Sequence, residues 1–251
     1  DSSTSRGLGD VYKRQGQPRV NPIVERPLIA PHVEPRITCM VDREATKTSV
    51  TVTFKYEASE CATPSGFFTK TIEDSFKLAL DNRLYKIMRR ADPPFFSAAC
   101  SIEEATRTTT IFSLQIVCEE GKARTGLEAG LREITRARLH GFSEQELRIA
   151  SAKQLADAEQ LFIERDQTYC TSLRDELVGH FLRGEFVVGA EEEARITRAC
   201  VERVKTSDLK EFAKRLNVNN SCVIRAMEGR ARTTEKDLSL IHISEPTRRR
   251  G

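Results

Sequence analysis

The chain has 251 residues, of which 39% are hydrophobic and 31% are charged, and its formal net charge is +3. This composition suits one or two globular domains and excludes a disordered chain. No apolar run approaches the roughly 18 residues that a membrane helix needs, and the first residues contain no apolar signal-peptide core. Seven cysteines without a Cys-x-x-Cys pair favour reduced, mostly buried thiols in a reducing compartment over a disulfide framework or a zinc knuckle.

The two ends of the chain are related through the genetic code. Codons for residues 5–15, read forwards, can be reverse complements of codons for residues 238–248, read backwards, beginning with the pair Gln15 and Leu238. Protein physics gives no reason for such an inverted repeat, and both peptides resemble translated sequencing adapters. We therefore expect residues 1–15 and 238–251 to be unstructured additions. The gene would then be open at both ends, and the remainder an internal piece of a longer protein.

The same two ends account for the basicity of the chain. They carry net charges of +1 and +2, so residues 16–237 are neutral. The arginine run at 248–250 is consequently no evidence for nucleic-acid binding.

The first half of the remainder reads as a linker followed by strands around one long helix. Five prolines between residues 16 and 35 forbid a helix and indicate an extended linker. Thr63-Pro64 offers an N-cap with proline at the first helical position, before apolar residues at steps of four. Period-two alternation is typical of strands with one buried face. The elements predicted here are strands at 36–42 and 48–56, a helix at 64–90, and strands at 95–101 and 108–118.

The second half is predominantly helical. Gly141 is a good residue to end a helix, and Ser143 with Glu146 can form a capping box while Phe142 staples to Leu147. The predicted elements are helices ending at Gly141 and spanning about 143–166, 170–183, 189–204 and 206–215, and a final strand at 221–227. This order predicts an α+β fold, an antiparallel sheet covered by long helices, in one domain at 36–228 followed by a linker at 229–237.

Few residues are candidates for chemistry. We interpret His32 as a solvated linker residue, His140 as a cation near a helix C-terminus, and His180 as a partly buried packing residue. None lies three or four residues from another His or Cys, so no helical metal pair exists. Seven cysteines with the three histidines outside the adapter-like ends could still hide a spatial Cys/His nucleophile pair, although no local motif singles one out. Cys39, Cys118 and Cys222 occupy strand positions that suit a small apolar residue.

Two short motifs also have plain structural interpretations. Glu191, Glu192 and Glu193 follow a glycine at a predicted helix N-terminus, where carboxylates interact favourably with the helix dipole, so we favour structural use over cation binding. Gly126 and Gly130 lie on a polar helix without membrane context. We find no catalytic, cofactor-binding or metal-binding residue in the chain.

Four segments of the chain together resemble parts of one known protein domain. Residues 42–50 resemble the start of that domain's first hairpin, and residues 82–89 its first helix. Residues 140–147 are similar to the Gly-hydrophobic-Ser/Thr-Glu-x-Glu-Leu motif between its long helices, and residues 173–182 resemble the next helix. The domain that carries these segments in this order is the second one in the N-terminal half of pitrilysin-type (inverted zincin, insulinase-like) metallopeptidases. The similarity is to the long bacterial and plant-organelle members, so that a plastid or another organelle is a compatible location.

The resemblance implies a function located outside the chain. In that family the preceding domain carries a His-x-x-Glu-His helix that holds zinc and activates water. Residues 31–35 lack the second histidine and cannot be helical, so no catalytic or zinc-binding residue carries over. The resemblance therefore implies a structural domain of a zinc metalloendopeptidase, inactive by itself and binding no zinc, that helps to enclose peptide substrates. Its expected partners are the missing catalytic domain, the C-terminal half of the same protein and peptides, but no nucleic acid and no membrane.

Two alternatives remain open. The parent protein could be a pitrilysin-like scaffold or processing-peptidase-like subunit without proteolytic chemistry, or the chain could be an unrelated helical adaptor. A His-x-x-Glu-His motif encoded upstream distinguishes the first interpretation from the other two.

Overall fold

The computed structural model describes residues 28–59, 62–230 and 233–239 and confirms the α+β class. The predicted strands and helices are all present, with bounds within a few residues of those expected, except that β3 continues beyond 101. The strands are β1 (Arg36–Val41), β2 (Thr48–Glu57), β3 (Ser97–Thr106), β4 (Thr109–Cys118) and β5 (Cys222–Glu228). The helices are α1 (Pro64–Met88), α2 (Ala123–His140), α3 (Glu144–Ile163), α4 (Cys170–Arg183), α5 (Ala190–Arg203), α6 (Thr206–Ala213) and α7 (Glu235–Ser239), with a 3₁₀ turn at Arg165–Gln167.

The five strands form one sheet in the order β1-β5-β2-β4-β3. Three of the four strand pairs are antiparallel, as predicted, but β1 pairs with β5 in parallel. β1 and β2 follow each other in sequence but are not neighbours in the sheet, because the last strand inserts between them. Alternation in a sequence indicates which face of a strand is buried, but it does not determine which other strand lies beside it in the sheet.

The core lies on one face of this sheet. Val50, Val52 and Phe54 of β2 are fully buried under the helices, as the alternation predicts. Phe76 of α1 occupies the centre, with its ring centroid 5.8 Å from that of Phe112 in β4. The same ring meets Phe142 at 5.5 Å and Phe212 at 4.8 Å, so one side chain joins the sheet, the α2–α3 corner and α6.

The glycine pair on α2 has a packing role that the sequence did not indicate. A Cβ atom at Gly126 would lie 2.2 Å from the Cys118 sulfur, and one at Gly130 would lie 2.5 Å from Ile116 Cδ1. Real atoms do not approach so closely. The two glycines therefore allow α2 to lie directly on β4, where any side chain would push the helix away.

The corner between α2 and α3 forms as predicted. Gly141 has φ +71°, a conformation that favours glycine, and its N–H donates to the carbonyl of Ala137. The Ser143 side chain accepts from the Glu146 N–H, and the Glu146 carboxylate accepts from the Ser143 N–H, completing the capping box. Phe142 on the other side of the cap is buried in the core.

The capping carboxylate also binds an arginine from α1. Arg83 donates from Nε and Nη2 to the two oxygens of Glu146, at 2.6 and 2.8 Å, and from Nη2 to the carbonyl of Gly141 at 2.8 Å. Its guanidinium lies 4.1 Å from the centre of the Phe142 ring. Burial opposes ionisation of Glu146, yet hydrogen bonds from Arg83 and from the Ser143 backbone outweigh it and lower its pKa to about 2.

We expect this ion pair to make the fold sensitive to acid. The Glu146 pKa falls from an ordinary 4.5 to about 2 on folding, so its contribution is complete above pH 4.5 and is lost as pH falls towards 2. Arg83→Met should cost about 3 kcal/mol at pH 7, because it leaves a largely buried carboxylate unpaired. The loss of stability between pH 4.5 and 2 should shrink in the same variant.

Urea unfolding at several pH values measures both effects. The matched control is Arg132→Met, which breaks the exposed pair with Glu128 and should cost less than about 1 kcal/mol. Equal losses in the two variants at pH 7 would contradict the assigned role of Arg83.

The folded part extends past the limit expected at the C-terminal end. Residues 235–239 form α7 instead of the predicted linker and unstructured tail, and Leu238 is only 2% exposed within the core cluster beside β1. Thr234 begins the helix, exchanging hydrogen bonds with Asp237. Leu238 and Ser239 therefore belong to the folded part and not to the predicted unstructured tail, because a leucine after a Thr-x-x-Asp cap has apolar surface to cover. Residues 1–15 and 240–251 lie outside the described residues.

We expect Leu238→Ala to lower the free energy of unfolding by about 2 kcal/mol, since it removes buried methyl groups and leaves a cavity. Ser239→Ala, one position along the same helix and exposed, is the matched control and should change stability by less than about 0.5 kcal/mol. Chemical denaturation of both variants gives the comparison. An unchanged unfolding midpoint for Leu238→Ala would show that the adapter-like tail contributes nothing.

Candidate interaction surfaces

The three histidines that the structure describes lie on different elements and in different environments. His32 is half-buried rather than solvated: its carbonyl accepts from the Ser221 N–H at 2.7 Å, and its Nε2 is enclosed by protein. Ser221, with φ 54°, thereby ties the linker to the start of β5. His140 is the last residue of α2, as predicted. His180 is exposed on α4 instead of partly buried, and its Nδ1 lies 2.6 Å from the carbonyl of Glu185.

The cysteines behave as packing residues. All six described thiols are free, and four of them, at positions 100, 118, 200 and 222, are buried. Burial raises the pKa of Cys118 to about 11 and that of Cys222 to about 12, which disfavours the reactive thiolate. Cys39 is half-buried and Cys170 is exposed.

The geometry required for a metal centre is missing from the described part of the chain. Within residues 28–59, 62–230 and 233–239, no group of three His, Cys, Asp or Glu side chains is placed to hold an ion. The run Glu191, Glu192 and Glu193 occupies the first turn of α5, as predicted, and Glu192 pairs with Arg195. The described helices also include none with the length and apolar character needed to cross a bilayer.

Helix α1 contains a buried acid that no sequence motif indicates. Glu73 of α1 is 8% exposed, and burial raises its pKa to about 7, although Arg215 opposes the shift. The ring of Tyr56 packs edge-on against Phe212 at 5.7 Å, while burial and the nearby Glu73 charge raise the Tyr56 pKa. Three widely separated segments meet here, so no local motif could have indicated the cluster.

Helix α4 displays an apolar face that no other described element covers. Leu173, Leu177 and Phe181 recur at steps of four and are 49%, 59% and 86% exposed. Further exposed apolar side chains lie on α4 and at the residue just before it: Tyr169, Val178 and Leu182. Contiguous apolar surface of this kind marks an interaction site in a folded protein.

The opposite surface, the uncovered face of the sheet, is polar. Thr51 of β2 lies between Gln115 of β4 and Arg225 of β5 in the strand register. One step along, the hydroxyls of Thr53 and Ser113 lie 3.2 Å apart in a hydrogen bond. These side chains are half-buried or exposed, so the face suits contact with water better than a dry interface.

Comparison with known proteins gives a consistent group of relatives. No family model matches the chain. It is 34% identical over 203 residues to a zinc protease PQQL-like protein from Arabidopsis thaliana, a match that covers 81% of this chain and 18% of that protein. The chain thus spans less than a fifth of the length of this curated relative.

Solved structures share the fold at low sequence identity. The first half of the periplasmic protease PqqL from Escherichia coli superposes with a TM-score of 0.76 at 12% identity, covering 97% of this chain and 55% of that one. An inactive domain of an M16 peptidase from Pseudomonas fluorescens gives a TM-score of 0.56 at 11% identity, covering 81% of this chain and 45% of its own.

We expect the exposed face of α4 to drive self-association of the isolated chain, because burying apolar surface is favourable and no element within residues 28–239 that the structure describes covers this face. Leu177→Glu and Phe181→Glu should return the protein to a monomer, as measured by light scattering after size-exclusion chromatography. Ser172→Glu, an exposed polar position in the first turn of the same helix, is the matched control and should leave association unchanged. A wild-type chain that stays monomeric at high concentration would contradict the assignment.

Proposed function

Since this chain is a domain of the pitrilysin-type metallopeptidase family, we propose that it is a non-catalytic domain of a longer zinc metalloendopeptidase. In this proposal the zinc site lies in a preceding domain, and the present domain helps to enclose peptide substrates. The observation that carries it is the 34% identity to a zinc protease of which the chain matches only 18%, in a sequence without a His-x-x-Glu-His motif.

The residues of this chain do not fit a catalytic zinc ion. Such a site needs three protein ligands in fixed geometry and an open position for water. His32, His140 and His180 lie on the linker, at the end of α2 and on α4, and no described set of donors converges. Water activation at zinc therefore requires residues from another part of the parent protein.

The two surfaces support a wall-like role. A domain that encloses a substrate chamber needs one face that tolerates water and peptide, and another that packs against its neighbours. The sheet face around Thr51 and Thr53 has the polar character of the first. The α4 face around Leu177 and Phe181 has the apolar character of the second. We assign the occupant of the α4 face to the remainder of the parent protein, because more than four fifths of the Arabidopsis relative lies outside the match.

The alternative of a non-proteolytic scaffold requires the same domain beside a neighbour without zinc ligands. The complete reading frame of the parent separates the two: an upstream His-x-x-Glu-His motif supports the peptidase, and a preceding domain of this fold without it supports the scaffold.

We expect the purified chain to retain no stoichiometric zinc and to cleave no peptide. Inductively coupled plasma mass spectrometry after dialysis measures the metal, and a quenched-fluorescent peptide library measures cleavage. The matched control replaces His32, His140 and His180 by Gln, and should show the same trace metal content as the wild-type chain. One equivalent of zinc that disappears in this control, or cleavage that a chelator abolishes, would overturn the proposal.

A further inference from the structure

A groove of about 600 Å³ runs between α1, α3 and α5. Its floor is fixed by Gln154 of α3, whose side-chain oxygen accepts from Ser75 Oγ at 2.8 Å and whose Nε2 donates to the carbonyl of Thr71 at 3.3 Å. These bonds hold α1 and α3 together along the bottom of the groove. The groove is therefore a preformed feature, as binding sites usually are.

Part of the groove surface is apolar and uncovered. Phe67 and Leu78 of α1 contribute from one wall, and Leu161 of α3 and Phe186 of the α4–α5 loop line the opposite side. Leu161 is 67% exposed and Phe186 is 46% exposed. An occupant with apolar side chains would remove this surface from water.

The remaining groove surface is strongly acidic. The groove continues into a second hollow of about 350 Å³ beside β3, and the two share Lys70 and Asp74. Among the residues that the structure describes, Lys70 and Lys77 are the basic ones that line the two hollows. The carboxylates that line them are Glu73, Asp74, Glu103, Glu104, Asp157, Glu176, Glu185 and Glu193. This excess of negative charge persists within a chain that is neutral over residues 16–237.

The charged form of several of these carboxylates is disfavoured by their surroundings. Asp74 and Glu193 reach solvent, yet the concave walls surround them, and this partial burial raises the pKa of each despite the nearby Lys70. Glu73 titrates near neutral pH for the same reason. A cationic occupant would offset negative charge that Lys70 and Lys77 balance only in part.

We propose that this groove binds a cationic amphipathic peptide in helical form. A groove between helices takes an amphipathic helix by burying its apolar side chains, and the acidic rim selects basic residues on the flanks of that helix. An acidic helix would meet like charge along the same rim. This binding surface is separate from the apolar face of α4 and requires no zinc chemistry.

The test uses a fluorescein-labelled peptide of about 15 residues, with Leu along one helical face and Arg beside it, and a second peptide with Glu in place of every Arg. Fluorescence anisotropy against the full chain should show saturable binding of the Arg peptide alone. Raising the salt concentration to about 1 M should weaken binding of the Arg peptide, because the Debye length, over which charges interact, falls to about 3 Å at that ionic strength.

Variants locate the binding site. The double variant Asp74→Asn, Glu193→Gln and the single variant Leu161→Ser should each weaken binding at least about tenfold, equivalent to 1.4 kcal/mol. Glu211→Gln, an exposed acid on α6 outside the groove, is the matched control and should bind as the wild type does. Phe181→Glu, on α4, should also leave binding unchanged. Circular dichroism confirms that each variant is folded.

The outcomes are distinct. Equal binding of the Arg and Glu peptides, wild-type affinity in the groove variants, or loss of binding in Phe181→Glu would overturn the proposal. The proposal would also be overturned if the groove served only as a dimer interface. In that case the wild-type chain would bind no peptide, and the Leu161→Ser variant would be a monomer. None of these results bears on the zinc and cleavage measurements, which test the proposed function separately.

Discussion

The arrangement of the helices depends on the hydrogen bonds that the Glu146 carboxylate accepts. It caps α3 through the Ser143 N–H, binds the guanidinium of Arg83 from α1, and lies where Gly141 turns the chain at the end of α2. Three helices are thus fixed by one side chain over one face of the sheet. Because a largely buried charge is costly without partners, the same contact that positions the helices also penalises any other arrangement of them.

The position of these helices determines both exposed surfaces of the domain. All the long helices that pack on the sheet lie on one side of it, so the other face remains polar around Thr51 and Thr53. Once α1 and α3 are fixed, α5 packs beside them and α4 is left with its apolar residues in solvent. The groove follows from the same geometry, since it is the space between α1, α3 and α5. The chain matches only 18% of the Arabidopsis relative, and its α4 leaves apolar surface exposed.

Local signals predicted most of the fold, and long-range contacts explain what they did not predict. Caps predicted the helix corner at Gly141 and Ser143, apolar residues at steps of four predicted α4, and alternation predicted the buried face of β2. They could not give the parallel pairing of β1 with β5, because alternation carries no information about neighbours. The role of Gly130 against Ile116, the Glu73 cluster and the acidic groove were equally inaccessible, since each brings together segments far apart in sequence. A codon relationship carries no information about packing, whereas the Thr-x-x-Asp cap before Leu238 does favour a helix there.

The central claim is that this chain is one wall of a larger enzyme, joined to it through the apolar face of α4. Hydrogen–deuterium exchange of Cys170–Arg183, compared between the isolated chain at low concentration and the complete parent protein, tests it most directly. We expect amides of α4 to exchange at least about tenfold more slowly in the parent, a gain of 1.4 kcal/mol in protection, while those of α1 stay equally protected in both. Equal exchange of α4 in the two proteins would contradict the claim.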